Sequence, residues 1–310
     1  MTTTSPLRSA QPARSPSQVP LAHLELTVLR RLDGLLQGDH SGLLPGHGSE
    51  SGEARPYVAG DDPRRMDWAV TARTSEPHVR DTIADHELEL WLVVDTSASL
   101  DFGTACTTKA DIAWAAGGAV ALLATRGGNR VGVVAAGGKQ KVIPARGGRA
   151  HVGAALAAVR HAQDGATGSG DLGSALSAVR RSAKRRGMVV VVSDFLDAGA
   201  WDRPLRALSA RHEVLAIEVV DPREMELPDV GLLHLTDPET GRRRMVDTGS
   251  DRLRARFREA AGAQRDAIRA RLRAAGTDHL LLRTDRDWVV DLVRFVAGRK
   301  ARRAAAGGNR

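Results

Sequence analysis

From residue 87 onward, continuous apolar runs alternate with stretches of helical periodicity. "ELELWLVVD" (87–95), "MVVVVSD" (188–194) and "EVLAIEVVD" (213–221) are apolar almost throughout, as strands covered on both faces are. "TKADIAWAAGGAVALLATRGG" (108–128) predicts a well-buried helix stopped by Gly127 and Gly128. "RVGVVAAG" and "KQKVIPA" predict a strand pair around a Gly-Gly turn. "RAHVGAALAAVRHAQ", "DLGSALSAVRRSAKRRG" and a shorter piece near "AWDRPLRALSARH" predict helices. Residues 251–275 predict a long one, with Leu253, Phe257, Ile268 and Leu272 on one face and Arg over much of the rest. "HLLLRT" is the last strand and "DWVVDLVRFVAG" the last helix. Apolar strands alternating with helices imply a doubly wound α/β domain with a largely parallel sheet over about 86–298. One interruption, at about 222–248, pairs 230–236 with 242–248 as a β-hairpin closed by "DPETG" and is too long for a simple connection.

Ahead of the domain the pattern is weaker. Leu21, Leu24, Leu29, Leu32 and Leu35 predict an amphipathic helix over 21–38, followed by a Gly- and Ser-rich stretch and then a segment dense in Asp and Arg. Residues 1–20, rich in Ser, Thr and Pro, read as a disordered lead-in without the apolar stretch of a signal peptide. No apolar run reaches the length of about 18–20 residues that spans a bilayer, so a cytoplasmic protein is expected. The single Cys106 agrees, since no internal disulfide can form.

Composition changes this picture little. Apolar residues make up 42% of the 310 and aromatics 3%, so the core must be built from Ala, Val and Leu. The net charge of +8 suggests nucleic acid, but its distribution does not. Arg8 and Arg14 supply two of the charges, and Arg299, Lys300, Arg302, Arg303 and Arg310 supply five, which leaves +1 for the rest. The basicity thus belongs to two tails that read as solvated, which argues against specific nucleic-acid recognition.

In open α/β sheets ligands bind outside the carboxyl ends of the strands, and two strands here end alike, in Val94-Asp95 and Ser193-Asp194. A dehalogenase-type phosphatase needs a second Asp two positions after the first, as general acid; Ser97 stands there. Neither "DTSAS" nor "HGSESG" is the G-x-S-x-G of a nucleophile elbow. "GTACTTKA" departs from a P-loop at Thr108 and Ala110, and "GSGDLG" (168–173) follows a helix rather than the strand a dinucleotide fingerprint requires. The scattered His residues and lone Cys do not indicate zinc. Asp95, Ser97 and Ser99 remain. Spaced by two in a turn, they bring a carboxylate and two hydroxyls to one point, a hard-oxygen set suited to magnesium or manganese, with Asp194 as a second carboxylate. The alternative is that the same groups only cap the loop and the next helix.

D-x-S-x-S after a buried strand, with S-D after a later one, resembles the metal-ion-dependent adhesion site of von Willebrand factor type A domains. The resemblance implies that Asp95, Ser97, Ser99 and Asp194 hold the metal. That family's Thr ligand sits in a "GTDL"-like loop; "GSGDLGSAL" puts Gly170 there, with Ser169 and Thr167 as possible substitutes. "ARPYVAGDDPRRMDWAVTAR", "DPREMELPDVG" and "DPETG" further resemble the domain of unknown function 58 (DUF58) family. Its members are bacterial, carry a von Willebrand type A-like domain, and are often associated with MoxR-type AAA+ ATPases. Many have membrane helices ahead of the domain; this sequence resembles the soluble members.

In physical terms the signature alternates Arg55, Arg64, Arg65 and Arg73 with Asp61, Asp62 and Asp67, so Arg–carboxylate pairs can clasp an irregular or β segment onto the domain, or form part of a partner surface. Gly60 permits a turn, and Tyr57 and Trp68 offer apolar anchors with polar tips. The expected organisation is a disordered lead-in (1–20), a helix plus signature segment (21–85), the α/β domain with its hairpin (86–298) and a basic disordered tail (299–310). The expected function is a non-enzymatic adaptor. The alternatives are a metal-dependent hydrolase or phosphatase in the same pocket, or non-specific nucleic-acid binding through the basic tails and the Arg-rich helix.

Overall fold

The computed structural model describes residues 54–58, 63, 66–80, 88–105, 107–138, 140–163, 170–197 and 200–307. The leading helix expected at 21–38 therefore lies outside the described residues. Six strands form one sheet: β3 (Glu89–Asp95), β4 (Arg130–Ala136), β5 (Lys141–Arg146), β6 (Gly187–Ser193), β7 (Glu213–Val220) and β10 (Asp278–Arg283). Their order across the sheet is β10-β7-β6-β3-β4-β5. All neighbours run parallel except β5, which returns antiparallel to β4 through the Gly137-Gly138 turn. Numbered by their sequence within the sheet the strands read 3-2-1-4-5-6, so the order reverses between β3 and β6, at the switch point where such sheets leave a crevice.

The apolar strands serve both layers because successive side chains point to opposite faces. Leu90, Leu92 and Val94 pack with one set of helices: α2 (Lys109–Arg126), α3 (Arg149–Gln163) and α7 (Trp288–Gly307). Trp91 and Val93 pack with the other: α4 (Leu172–Ser182), α5 (Asp202–Ser209) and α6 (Asp251–Ala274). Residues 109–124 of α2 are buried without exception, and its Ala- and Gly-rich composition is what allows this. A Cβ at Gly117 would stand 3.3 Å from both methyls of Leu92, so the glycine sets how closely α2 approaches β3.

Residues outside this frame add smaller units. β8 (Leu232–Thr236) and β9 (Arg243–Asp247) pair antiparallel as a hairpin, separate from the main sheet. In the signature segment, β1 (Ala54–Pro56) pairs antiparallel with β2 (His78–Arg80). Between them stands α1 (Trp68–Thr74), where the sequence pattern suggested only irregular or β structure. This helix buries none of its residues, so it leaves no periodic apolar signature; its cap, Asp67, accepts from the N–H groups of Ala69 and Val70.

The C-terminal tail also differs from expectation. α7 runs on through 299–307, because "RKARRAAAG" is made largely of strong helix formers. Arg299, counted above among solvated tail charges, is 4% exposed and pairs with Glu213 of β7 and Asp278 of β10. Among the described residues, no helix is long and apolar enough to cross a membrane.

Candidate functional site

Both acidic strand ends reach the switch point. Val94 pairs with Val192 in the parallel register, so Asp95 emerges beside Ser193, and both side chains are buried. Ser193 Oγ donates to Asp95 Oδ2 at 2.6 Å, and the Ser97 N–H donates to Asp95 Oδ1 at 2.8 Å. After β6 the chain turns through Phe195, which adopts φ +56°. Side chains rarely take that conformation, and here the Phe195 N–H donates to Ser193 Oγ and the Leu196 N–H to Asp194 Oδ1. A 3-10 turn over Ala98–Asp101 brings the second serine inward. Ser97 Oγ and Ser99 Oγ share a hydrogen bond at 3.0 Å, and Ser99 Oγ donates to Asp194 Oδ2 at 2.9 Å. Asp95, Ser97, Ser99 and Asp194, up to 99 positions apart in the chain, thus meet in one cluster.

Further side chains, none of them singled out as a site residue from the sequence, complete the surroundings. Lys109 opens α2 just after Thr108, whose side chain forms a capping box with Asp111. Its side chain is 0% exposed, and Nζ donates to Asp194 Oδ2 at 2.7 Å and to Glu224 Oε1 at 2.5 Å. Glu224 belongs to a short 3-10 turn, Pro222–Glu224, that follows β7. Arg265 of α6 donates to the Asp194 carbonyl at 3.0 Å, to Glu218 at 3.1 Å and to Glu224 at 3.0 Å. His279 reaches Glu218 from β10 at 2.8 Å. The third strand of this group, β7, also ends in an acid, Asp221, which is fully buried and joins the first loop to β10 through Thr104 and Thr284. Two of these groups left traces in the sequence. Lys109 is the lysine of the rejected P-loop match, and Asp221 is a third acid closing a buried strand.

The charges explain the protonation tendencies. Burial, and next the nearby Asp194 charge, push Asp95 up to about 6, against the pull of its hydrogen bonds from Ser193 and Ser97. Burial pulls Lys109 down, but the charges of Asp194 and Glu224 and their hydrogen bonds outweigh it, and the ammonium is held above its ordinary value. Lys109 is therefore a buried side chain held in its charged form beside a two-carboxylate site.

The remaining sequence candidates divide. Gly170 lies against the cluster: a Cβ there would be 3.1 Å from Asp95 Oδ1, 3.2 Å from the Ala136 carbonyl and 3.3 Å from Ser97 Cβ. Gly170 thus occupies the expected position and has no hydroxyl of its own. Thr167 and Ser169 lie outside the described residues, as do Gly60, Asp61, Asp62 and Arg64. Of the signature, Arg55 falls in β1 and Arg73 in the last turn of α1, Asp67 is the helix cap, and Tyr57 is exposed. Trp68, expected as an apolar anchor, is 70% exposed. It is the first residue of a helix that buries nothing, so its position gives it no apolar face to pack on.

Among the described residues no group of three or more His, Cys, Asp or Glu side chains is placed to hold a metal ion. The donor set is instead two carboxylates and two hydroxyls. Hydrogen bonds hold Ser97 Oγ and Ser99 Oγ 3.0 Å apart, and Ser99 Oγ and Asp194 Oδ2 2.9 Å apart. As hard oxygen donors these groups suit a small hard cation, while the Lys109 ammonium, 2.7 Å from Asp194 Oδ2, already supplies one positive charge there.

Comparison with known proteins adds the family. The model described as "Protein of unknown function DUF58" matches residues 53–267. The "Uncharacterized protein Rv1480" of Mycobacterium tuberculosis is 54% identical over 293 residues, covering 93% of this chain and 90% of its own. The "Uncharacterized protein Mb1516" of Mycobacterium bovis has the same identity and coverage. Among solved structures, the conserved hypothetical protein BatB from Bacteroides thetaiotaomicron aligns at 14% identity with a TM-score of 0.39, covering 69% of this chain and 99% of that one. An aerotolerance-related membrane protein from Bacteroides fragilis aligns at 13% with a TM-score of 0.43, covering 68% and 98%.

Proposed function

The chain belongs to the DUF58 family of proteins of unknown function, and from that premise we propose that it is a non-enzymatic interaction protein whose α/β domain works as a von Willebrand type A-like receptor. The carrying observation is the convergence of Asp95, Ser97, Ser99 and Asp194 at the reversal of strand order. In this reading those four side chains hold magnesium or manganese. When bound, the metal supplies one coordination position for a carboxylate oxygen of the partner. Ser193 and the Ser97 N–H orient Asp95, Arg265 fixes the Asp194 backbone, and the loops around the cluster decide which acidic side chain is admitted. The family resemblance points to a MoxR-type AAA+ ATPase as partner, met in the bacterial cytoplasm. A non-enzymatic role is favoured over a hydrolase because the groups bonded to Asp95, the Ser97 N–H and the Ser193 hydroxyl, are not bases, and Lys109 is held as an ammonium.

The test is thermal unfolding with and without millimolar magnesium or manganese, for wild type and Asp95→Ala. The reading expects a metal-dependent rise in Tm that the variant loses. It also expects the purified ATPase to bind the wild type in metal and release it in chelator. Absence of any metal-dependent shift in the wild type refutes the metal-bridged mode.

A further inference from the structure

We infer that Lys109 is the resident cation of this site and sets its affinity for a divalent metal, which enters only as the ammonium passes from Asp194 to Glu224. The inference rests on the metal reading above and adds the group that regulates it. Nζ and Ser99 Oγ both donate to the same oxygen, Asp194 Oδ2, so the ammonium contests an oxygen the metal requires. The side chain is wholly buried, and it starts from a helix terminus held by the Thr108–Asp111 capping box and by the bond from the Lys109 N–H to the Phe102 carbonyl. The backbone end is fixed, so only side-chain rotation can move the charge.

The rotation has a destination. Glu224 Oε1 already accepts from Nζ, while its other oxygen accepts from Arg265 and the Asp221 N–H, so Glu224 stays in place whichever carboxylate holds the ammonium. A monovalent charge beside the site opposes a divalent one, and in a buried setting this weakens binding by about tenfold or more. A lysine that only stabilised the fold would leave metal affinity unchanged when replaced, or would lower it through disorder.

The experiment is titration of the full chain with manganese alone, following the free-ion electron paramagnetic resonance signal, for wild type, Lys109→Gln and Glu224→Gln. Removing the ammonium should tighten binding by about tenfold or more, and the metal-dependent rise in Tm should grow with it. Glu224→Gln should act in the opposite direction, because the ammonium then rests on Asp194 alone. If the wild type binds and Lys109→Gln binds no better, the inference is overturned while the metal reading stands. If neither binds at millimolar manganese, both fall. Should Lys109→Gln fail to fold, Glu224→Gln decides, and an affinity equal to wild type overturns the inference.

Discussion

Replacing Asp221 by Asn tests how the strand ends are locked together. The carboxylate is fully buried and accepts four hydrogen bonds. Oδ1 takes the Thr104 hydroxyl and the Arg223 N–H; Oδ2 takes the Thr104 N–H and the Thr284 hydroxyl. Each oxygen thus serves one hydroxyl and one backbone N–H. Whichever oxygen becomes the amide nitrogen, the hydroxyl can turn and accept, but the N–H is left facing another donor. An unmade buried bond of this kind costs about 1–3 kcal/mol, and the two surviving bonds lose their charge-assisted strength, so Asp221→Asn should destabilise by about 2–4 kcal/mol at pH 7.

The acid limb gives a second reading of the same change. Burial alone would raise this carboxyl, but the Thr104 and Thr284 hydroxyls and the two N–H groups outweigh it and hold it below its ordinary value. A depressed carboxyl contributes stability above the unfolded pKa of about 4 and loses it as pH falls through the folded value. Urea unfolding at a series of pH values should therefore show a constant gap between wild type and variant from pH 7 to about 5, narrowing below about 4. A variant within about 0.5 kcal/mol of wild type at pH 7, or a gap unchanged at pH 3, would refute the reasoning.

Two further substitutions probe the frame around the site. Arg265→Met strips Glu218 and Glu224 of a buried partner and should cost about 3–5 kcal/mol in urea unfolding; a loss below about 1 kcal/mol would show that Lys109 and His279 suffice to hold those acids. Gly187→Ala places a Cβ 2.0 Å from the Glu89 carbonyl, between β6 and β3, and should lower stability by about 3 kcal/mol or more. Gly147→Ala meets nothing within 4 Å and serves as the control. Equal melting temperatures for the two alanine variants would contradict the close strand packing at Gly187.

Much of this architecture is written locally. A strand buried on both faces must be apolar along its length, and "LWLVVD", "MVVVVSD" and "EVLAIEVVD" state that without reference to any other part of the chain. The helices between them follow from periodicity and capping residues, and the acids closing the strands stand at the end where sheets of this kind receive ligands. The short α1 and the helical continuation at 299–307 escaped this reading because one buries nothing and the other is polar enough to pass for a solvated tail.

The tertiary structure alone decided what surrounds those acids. Lys109 lies 85 positions from Asp194 and 115 from Glu224, and Arg265 lies 71 from Asp194. A lysine opening a helix looks the same in sequence whether its ammonium faces water or two buried carboxylates. Periodicity reports which face of an element is buried but not which charges meet there, and only the order of strands across the sheet brings those charges together.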